Sequence, residues 1–514
     1  MANESRVKKT MLNAKMNLIC YFASFITAFF TRKILLDQLG AEFIGFTGTV
    51  GSLLSFLNLA ELGIGTAIGY VLYKPIADGD RFKINEIISV LGYLYHKIGY
   101  IILGIGIVTS FFLPLIFPNT TFSWYVIYFG FYTYLTSSLI GYFVNYRASL
   151  LSADQRNYVV TGYFQLATTT KVILQMILAL YLRSFIVYLL IELFFGIINS
   201  IILNWKIDKT YPWLKSEVKL GRKLLKKYPE ITTYTKQIFA HRVGGVVQGQ
   251  LTPFLIYSFV SLPVVALYTN YTLLTQKIES LISATINSTG AAVGNLIAEG
   301  DKEKILKVFK ELLSLRVFIA SIVAACIFQF SSQFIGVWLG EQYILEGHTV
   351  ALIAILSGLN IARGVLDQFC YGSGLFADVW APYTESIIMV IFAMTGGYLW
   401  GLPGVLLGPL ASIIAIIFIW KPYYLFSKGF KIGVWKYWQI FCAHLVVVVV
   451  ANSASAYICG QVIRPLITAT SWIGLIVEGG LFLITISLFT FVCFYLTSEG
   501  FRDIVGRIKF FKKY

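Results

Sequence analysis

Long apolar runs recur along the whole chain, and each of them is long enough to cross a lipid bilayer as a helix. A helix needs about 20 apolar residues to span the hydrocarbon region. Lipid offers no hydrogen-bonding partner to a bare peptide group, so such runs must be α-helical. Charged residues make up only 13% of the 514 positions, too few to cover the surface of a soluble protein. The chain is therefore predicted to be an all-α, polytopic membrane protein with about 14 transmembrane helices.

The connections between these runs are short, and none is long enough to hold a separate soluble domain. The transmembrane helices are predicted near residues 13–36, 43–72, 92–117, 123–145, 158–182, 185–204, 235–259, 264–296, 312–334, 348–371, 382–400, 402–421, 437–459 and 469–496. The predicted domains are a six-helix bundle at 1–204, a basic cytoplasmic linker at 205–234, a second six-helix bundle at 235–421, and two further helices with a basic cytoplasmic tail at 422–514.

Lysine and arginine orient the helices, because loops on the cytoplasmic side of a membrane carry an excess of both. With the N-terminus inside, most of the 41 basic residues fall on the cytoplasmic side, and the opposite side receives only Arg32, Lys33, Arg183 and Arg464. Both termini are therefore predicted to lie in the cytoplasm, with the chain in the inner membrane of a bacterium. The net charge of +16 is then a topology signal, and we expect no nucleic-acid partner. Anionic membrane lipids should hold the basic linker at the inner surface.

A short loop motif occurs twice, which indicates an internal repeat. The sequence IADGD at 76–80 follows the second predicted helix, and IAEGD at 297–301 follows the eighth. Both loops begin at the inner end of a helix that runs from outside to inside. The two bundles are therefore predicted to be a parallel duplication, related by an axis along the membrane normal. Such a duplication predicts a central cavity between two bundles, exposed alternately to either side of the membrane.

Four stretches of the sequence connect the chain to a known family. They are TRKILLDQLGAEFIGFTG, LNLAELGIGTAIGYVLYKPIADGD, VSLPVVALYTNYTLLTQKIESLI and STGAAVGNLIAEGD. With these motifs the chain resembles the polysaccharide transporter branch of the multidrug/oligosaccharidyl-lipid/polysaccharide exporter superfamily. The resemblance implies a flippase for undecaprenyl-diphosphate-linked oligosaccharide repeat units, used for capsule, O-antigen or exopolysaccharide synthesis. It also implies a glycan polymerase and glycosyltransferases as partners.

Charged residues inside predicted helices are the candidate site, because a charge at the centre of a bilayer costs about 2.5–3.5 kcal/mol on insertion scales. Such residues should face a cavity and have a partner or a function. A guanidinium or ammonium group there would hold the diphosphate of a lipid-linked cargo, since arginine pairs with phosphate through two parallel hydrogen bonds. The cationic candidates are Arg242, Arg32, Lys277, Lys171 and Arg363.

Acidic residues inside the helices are candidates for charge pairing or for coupling transport to an ion gradient, with H+ or Na+ as the ion. The candidates are Glu61, Asp367 and Glu279. Arg363 and Asp367 are four positions apart on one predicted helix, so they should pair along one face. Lys277 and Glu279 are two apart and cannot face each other, so each should have another partner.

Three other functions are compatible with parts of the sequence. A lipid II flippase would share the number of helices and the cationic cavity. A cation-coupled multidrug exporter of the same superfamily would have the two bundles, but usually twelve helices and a carboxylate-centred cavity. An integral-membrane glycosyltransferase or polymerase would need a catalytic carboxylate constellation in a sizeable extramembrane loop, and the outer loops are short. The sequence contains no phosphate-binding glycine loop, zinc spacing or nucleophile elbow, so we expect neither enzymatic activity nor a resident cofactor.

Overall fold

The computed structural model describes residues 6–511, except for 62–63, 119, 155, 287–292, 294–295, 298, 376–377 and 467–470. Every regular element within that part of the chain is helical, which confirms the predicted all-α fold class. Nine helical segments of the described residues are long and apolar enough to cross a membrane. The chain is therefore a multi-pass membrane protein by composition and fold, and the count of fourteen helices stays a prediction.

Contacts divide the chain into two compact units, Met1–Ala266 and Leu267–Tyr514. The helices of the first unit are α1 (Arg6–Leu57), α2 (Ile64–Asp78), α3 (Arg81–Phe111), α4 (Leu113–Ile116), α5 (Trp124–Phe143), α6 (Ala148–Ala153), α7 (Tyr158–Leu182), α8 (Phe185–Thr210), α9 (Gly221–Leu224) and α10 (Pro229–Phe259). Aromatic side chains fill its core: Phe43 stacks on Phe185 with ring centroids 4.9 Å apart.

The second unit begins within α11 and includes the C-terminus. Its helices are α11 (Leu262–Ile286), α12 (Lys302–Trp338), α13 (Gly347–Gly372), α14 (Trp380–Ser412), α15 (Lys421–Tyr424), α16 (Trp435–Ile458), α17 (Arg464–Leu466), α18 (Trp472–Thr497) and α19 (Glu499–Phe511). Wider π-helical turns continue α14 at Ile413–Trp420 and follow α15 at Leu425–Phe430. Phe309 lies at the centre of the core, where its ring contacts those of Phe369 and Phe426.

Two breaks divide the N-terminal helical segment, and only the first of them was predicted. Gly40 interrupts α1 with a φ of 82°, which separates the first two predicted helices. The second, at 43–72, is wrong as a continuous helix, because a 3-10 turn at Asn58–Glu61 interrupts it. The Asn58 side chain accepts a hydrogen bond from Ser138 and lies 3.0 Å from the Tyr142 hydroxyl, and an asparagine engaged in this way favours turns over a helix interior. Such a break is tolerated at membrane depth where other helices cover it.

The two repeated loops have the same backbone geometry. Gly79 and Gly300 adopt φ angles of 70° and 78°, a left-handed conformation that glycine reaches without a steric penalty. The next residue in each loop caps a helix: the carboxylate of Asp80 accepts from the Lys83 amide at 3.0 Å, and that of Asp301 accepts from the Lys304 amide at 3.1 Å. The hydrogen bond from the Lys83 amide lowers the pKa of the Asp80 carboxyl below its ordinary value. The shared turn explains why both loops end in Gly-Asp.

The helix that follows each repeated loop, α3 in the first unit and α12 in the second, is contacted at an equivalent position by a glycine in the first turn of another helix. Gly221 of α9 lies against the carbonyl of Ser89 in α3, and Gly500 of α19 lies against the carbonyl of Lys310 in α12. Ser89 and Lys310 are separated by the same number of residues as the two loops. A Cβ atom at either glycine would collide with that carbonyl. The similarity between the units therefore extends to the segments packed on α3 and α12.

Candidate functional site

An ion pair between neighbouring helices occupies the interior of the first unit. Lys171 Nζ of α7 donates to Glu192 Oε1 of α8 at 2.7 Å. Gln175, one turn further along α7, donates from Nε2 to Glu192 Oε2 at 3.1 Å. Both oxygens of Glu192 are therefore engaged, and the charge of Lys171 is neutralised within its own unit.

Arg32 belongs to the same polar cluster. Its Nη2 donates to the backbone carbonyl of Ala266 at 3.1 Å, and its charge interacts with Tyr188, one turn before Glu192 on α8. Gln175 also donates to the Tyr188 carbonyl, at 3.3 Å. The structure thus brings together two of the predicted cations, Arg32 and Lys171, around one stretch of α8. Helices α1, α7 and α8 position them, because each contributes a polar side chain to an otherwise apolar bundle.

Glu61 lies in the 3-10 turn that follows α1, and tyrosine hydroxyls hold its carboxylate. Tyr95 of α3 donates to Oε1 at 2.5 Å, and Tyr142 of α5 donates to Oε2 at 2.9 Å. The Tyr142 hydroxyl also contacts Asn58 of the same turn, at 3.0 Å. The turn therefore places a carboxylate between two hydroxyls, at a break in a membrane-spanning segment.

The second unit contains a carboxylate shared by two cations. Arg363 Nε lies 3.3 Å from Asp367 Oδ2, which confirms the pair predicted from their spacing on α13. Lys421 of α15 donates to the other oxygen, Oδ1. The buried carboxylate of Glu385 in α14 also interacts with Arg363. The network therefore links helices α13, α14 and α15 through their charged side chains.

Arg316 is a further cation beside this network, and its burial was not predicted from the sequence. Together with Lys421 it was predicted to belong to the cytoplasmic segments, as part of the basic excess. Its side chain is only 2% exposed, and its Nη1 donates to the Ile361 carbonyl at 3.4 Å. The guanidinium lies directly against Gly364, where a Cβ atom would overlap it. A glycine on α13 therefore makes room for an arginine of α12.

The remaining predicted residues lie elsewhere. Lys277 and Glu279 are both part of α11, and the expected separate partner of Lys277 stays a prediction. The side chain of Glu279 interacts with that of Ser357 of α13, and its charge acts on Tyr268 of its own helix. Arg242 belongs to α10, but its side chain lies outside the described residues. Its proposed contact with a diphosphate stays a prediction.

Several charged residues of the interior were missed or left unassigned at the sequence level. Glu192 and Glu478 had no predicted role, yet Glu192 holds Lys171 and the fully buried Glu478 pairs with Arg464 at 3.2 Å. Their positions in apolar segments were the available signal, because an ionised group there needs a partner. Nothing in the sequence identified which partner, since each pair joins two different helices.

Known proteins resemble this chain in structure and not in sequence. No family model matches the chain, and no curated protein matches it. Among the solved structures that do match, the lipid II flippase MurJ in an inward closed conformation has a TM-score of 0.63 at 15% identity, over 95% of this chain and 99% of that chain. An inward-facing multidrug resistance MATE family transporter of the MOP superfamily has a TM-score of 0.57 at 14% identity, over 82% and 94%. At these identities the likeness establishes the fold alone, which this chain shares with both of these membrane transporters.

Proposed function

We propose that this chain is a flippase that moves undecaprenyl-diphosphate-linked oligosaccharide repeat units across the bacterial cytoplasmic membrane by alternating access. The observation that carries the proposal is the end-to-end fold likeness to a flippase, which covers 99% of that chain and 95% of this one. The sequence motifs point to oligosaccharide as the cargo, for capsule, O-antigen or exopolysaccharide. A glycan polymerase and glycosyltransferases would act on the same repeat units.

The physical basis of the proposal is the set of cations within the helices. A diphosphate cannot cross hydrocarbon without groups that replace its water. Arg32, Lys171 and Arg363 supply such groups, and arginine matches phosphate oxygens with paired hydrogen bonds. Without cargo, Glu192 and Asp367 neutralise the charges of Lys171 and Arg363. An arriving diphosphate would compete with Glu192 for Lys171, so that binding of the cargo and opening of the ion pair are linked.

Coupling to an H+ or Na+ gradient is part of the proposal, and Glu61 is the favoured carrier. Hydroxyls surround its carboxylate, and a tyrosine hydroxyl can either donate to a carboxylate or accept from a carboxylic acid. Asp367 is held by two cations and is better suited to charge pairing. Glu279 is a second carboxylate that would serve as a carrier, in the other unit.

Two other cargoes are alternatives within the same fold. A lipid II flippase is favoured by the likeness to MurJ itself. A multidrug exporter is favoured by the likeness to the MATE transporter, which extends over less of this chain, 82% against 95%. The larger coverage by the flippase, together with the cations in the helices, supports a lipid-linked anionic cargo over a cationic drug.

The proposal is tested by flipping in proteoliposomes that contain the purified chain and a fluorescent undecaprenyl-diphosphate oligosaccharide. We expect the chain to make inner-leaflet cargo accessible to an external glycosidase, and an imposed ion gradient to speed this. Lipid II in parallel vesicles tests the first alternative, and efflux of a cationic dye tests the second. Flipping of lipid II with no movement of the oligosaccharide lipid would contradict the proposal, as would dye transport alone.

A further inference from the structure

The first unit contains a cavity of about 750 Å³ at the end of α8 that the charge distribution assigns to the cytoplasm. It lies between the last turn of α5, the end of α8 and the linker around Lys215 and Ser216. Its volume is within the range of about 300–1,000 Å³ that is typical of small-ligand sites. Among the predicted cargo residues whose side chains the structure describes, Arg32, Lys171, Lys277 and Arg363, none lines this cavity.

One wall of the cavity is polar, and α8 provides three of its side chains. Ser200, Asn204 and Asp208 recur at every fourth position, so they lie along one ridge of the helix. Arg147 donates from Nη2 to Asn204 Oδ1 at 2.7 Å and from Nη1 to Asp208 Oδ1 at 2.6 Å. Ser200 donates to Asn145 at 2.7 Å. This network orients the guanidinium beside the cavity.

The outer rim of the cavity is apolar and lies on the face of α8 that would contact lipid. Ile201 is 63% exposed and Trp205 is 50% exposed, and both line the cavity. The exposed Ile197 and Phe194 continue this face along the helix. Exposed apolar side chains over several turns of a membrane helix are surface for acyl chains. The cavity therefore opens sideways, toward the lipid of one leaflet.

Three lysines lie around this opening, while Asp208, which pairs with Arg147, is the acidic residue in the cavity lining. Lys215 lines the cavity, and Lys206 lies over the rings of Tyr163 and Trp205, at 4.2 and 4.5 Å from their centroids. Lys209 approaches the same tryptophan, at 5.8 Å. A tryptophan with lysines at the end of a membrane helix is typical of the lipid headgroup region. Basic residues in this region attract the anionic lipids of the cytoplasmic leaflet.

We propose that this cavity binds the headgroup of an anionic phospholipid of the cytoplasmic leaflet, with phosphatidylglycerol as the fitting chemistry. Arg147 and Lys215 would hold the phosphate. Asn204 and Asp208 would hydrogen-bond the glycerol hydroxyls, and the acyl chains would run along Ile201 and Ile197. A lipid bound between α8 and the linker would stabilise the packing of these two segments. This role does not depend on which cargo the protein carries.

The test is native mass spectrometry of the purified full chain with phosphatidylglycerol or phosphatidylcholine, together with thermal unfolding in each lipid. We expect selective retention of phosphatidylglycerol and a higher melting temperature with it. Loss of a charge-assisted contact should weaken binding about tenfold. R147Q/K215Q should therefore lose the selectivity, and so should K215E, which changes only an exposed side chain and is expected to fold normally.

The matched control is K219Q, which removes an exposed charge from the same linker outside the cavity and should bind as the unaltered chain does. Equal retention of both lipids by the unaltered chain would overturn the proposal, as would selectivity that survives both cavity variants. An undecaprenyl-diphosphate oligosaccharide that displaces phosphatidylglycerol from the cavity would also overturn it, because the site would then belong to the cargo.

Discussion

Lys171 and Glu192 form an ion pair between α7 and α8, with Nζ 2.7 Å from Oε1 and about a fifth of each side chain exposed. The two residues are 21 positions apart and lie on consecutive helices joined at Arg183 and Ser184. Because the surroundings are apolar helices, neither charge can be removed alone without leaving the other uncompensated. The pair therefore links α7 to α8 within the first unit.

Glu192→Gln and Lys171→Met should each destabilise the protein, and the double swap Lys171→Glu/Glu192→Lys should restore most of the loss. A broken buried pair costs up to about 3–5 kcal/mol, and partial exposure reduces that figure here. The measurement is the midpoint of thermal unfolding in detergent. Equal losses in the swap and the single variants would show that the pair itself does not contribute. Transport by the swap should remain low, since the cation has moved to α8.

Asp367→Asn should disrupt the second unit more than Arg363→Gln does. The carboxylate of Asp367 is contacted by both Arg363 and Lys421, so its neutralisation leaves two cations adjacent to each other. Removal of Arg363 leaves the pair of Asp367 with Lys421 intact. Expression level and unfolding midpoint in the same detergent compare the two variants. A larger effect of Arg363→Gln would mean that the arginine has a role beyond this ion pair.

Gly364→Ala should destabilise the second unit by about 1–3 kcal/mol, the usual cost of overpacking. The added methyl group occupies the position of the Arg316 guanidinium, which must then leave the Ile361 carbonyl. Gly347→Ala is the control on the same helix, because a Cβ atom there has open space around it. The unfolding midpoints of both variants give the comparison. Equal midpoints would show that Arg316 repacks freely.

The extent of individual helices followed well from the sequence, and α7 illustrates why. It was predicted at 158–182 and spans Tyr158–Leu182, because apolar residues fill it and Arg183 ends it in a left-handed conformation. Hydrophobic length alone determines such a helix. The break at Asn58–Glu61 was not predicted, because its cause is the set of hydroxyl groups on α3 and α5 that contact this turn.

The candidate site was less predictable, since it depends on pairing between helices. The spacing of Arg363 and Asp367 on one helix was sufficient to predict their contact. The partner of Lys171 lies on the next helix, and no pattern within one segment identifies it. Arg316 was counted with the basic loop residues that precede it, although the glycine opposite it on α13 is the feature that admits its side chain. Contacts of this kind require the packing of the bundle.

Glu61→Gln should abolish the dependence of transport on an ion gradient while leaving the fold intact. The amide keeps the size of the side chain and can still accept from one tyrosine, but it can neither take up a proton nor bind a cation by charge. The measurement is the rate of cargo flipping in proteoliposomes with and without an imposed gradient of H+ or of Na+. We expect the unaltered chain to respond to one of the two gradients and Glu61→Gln to respond to neither.

Tyr95→Phe and Tyr142→Phe separate the role of the carboxylate from that of its surroundings. Each removes one hydroxyl that holds Glu61 and leaves the charge in place. If Glu61 carries the coupling ion, both tyrosine variants should still respond to the gradient, with the response shifted in pH or in sodium concentration. A gradient response that persists in Glu61→Gln would assign the coupling to another carboxylate. Glu279 would be the first to examine, because Glu279→Gln would then remove the response that Glu61→Gln had left unchanged.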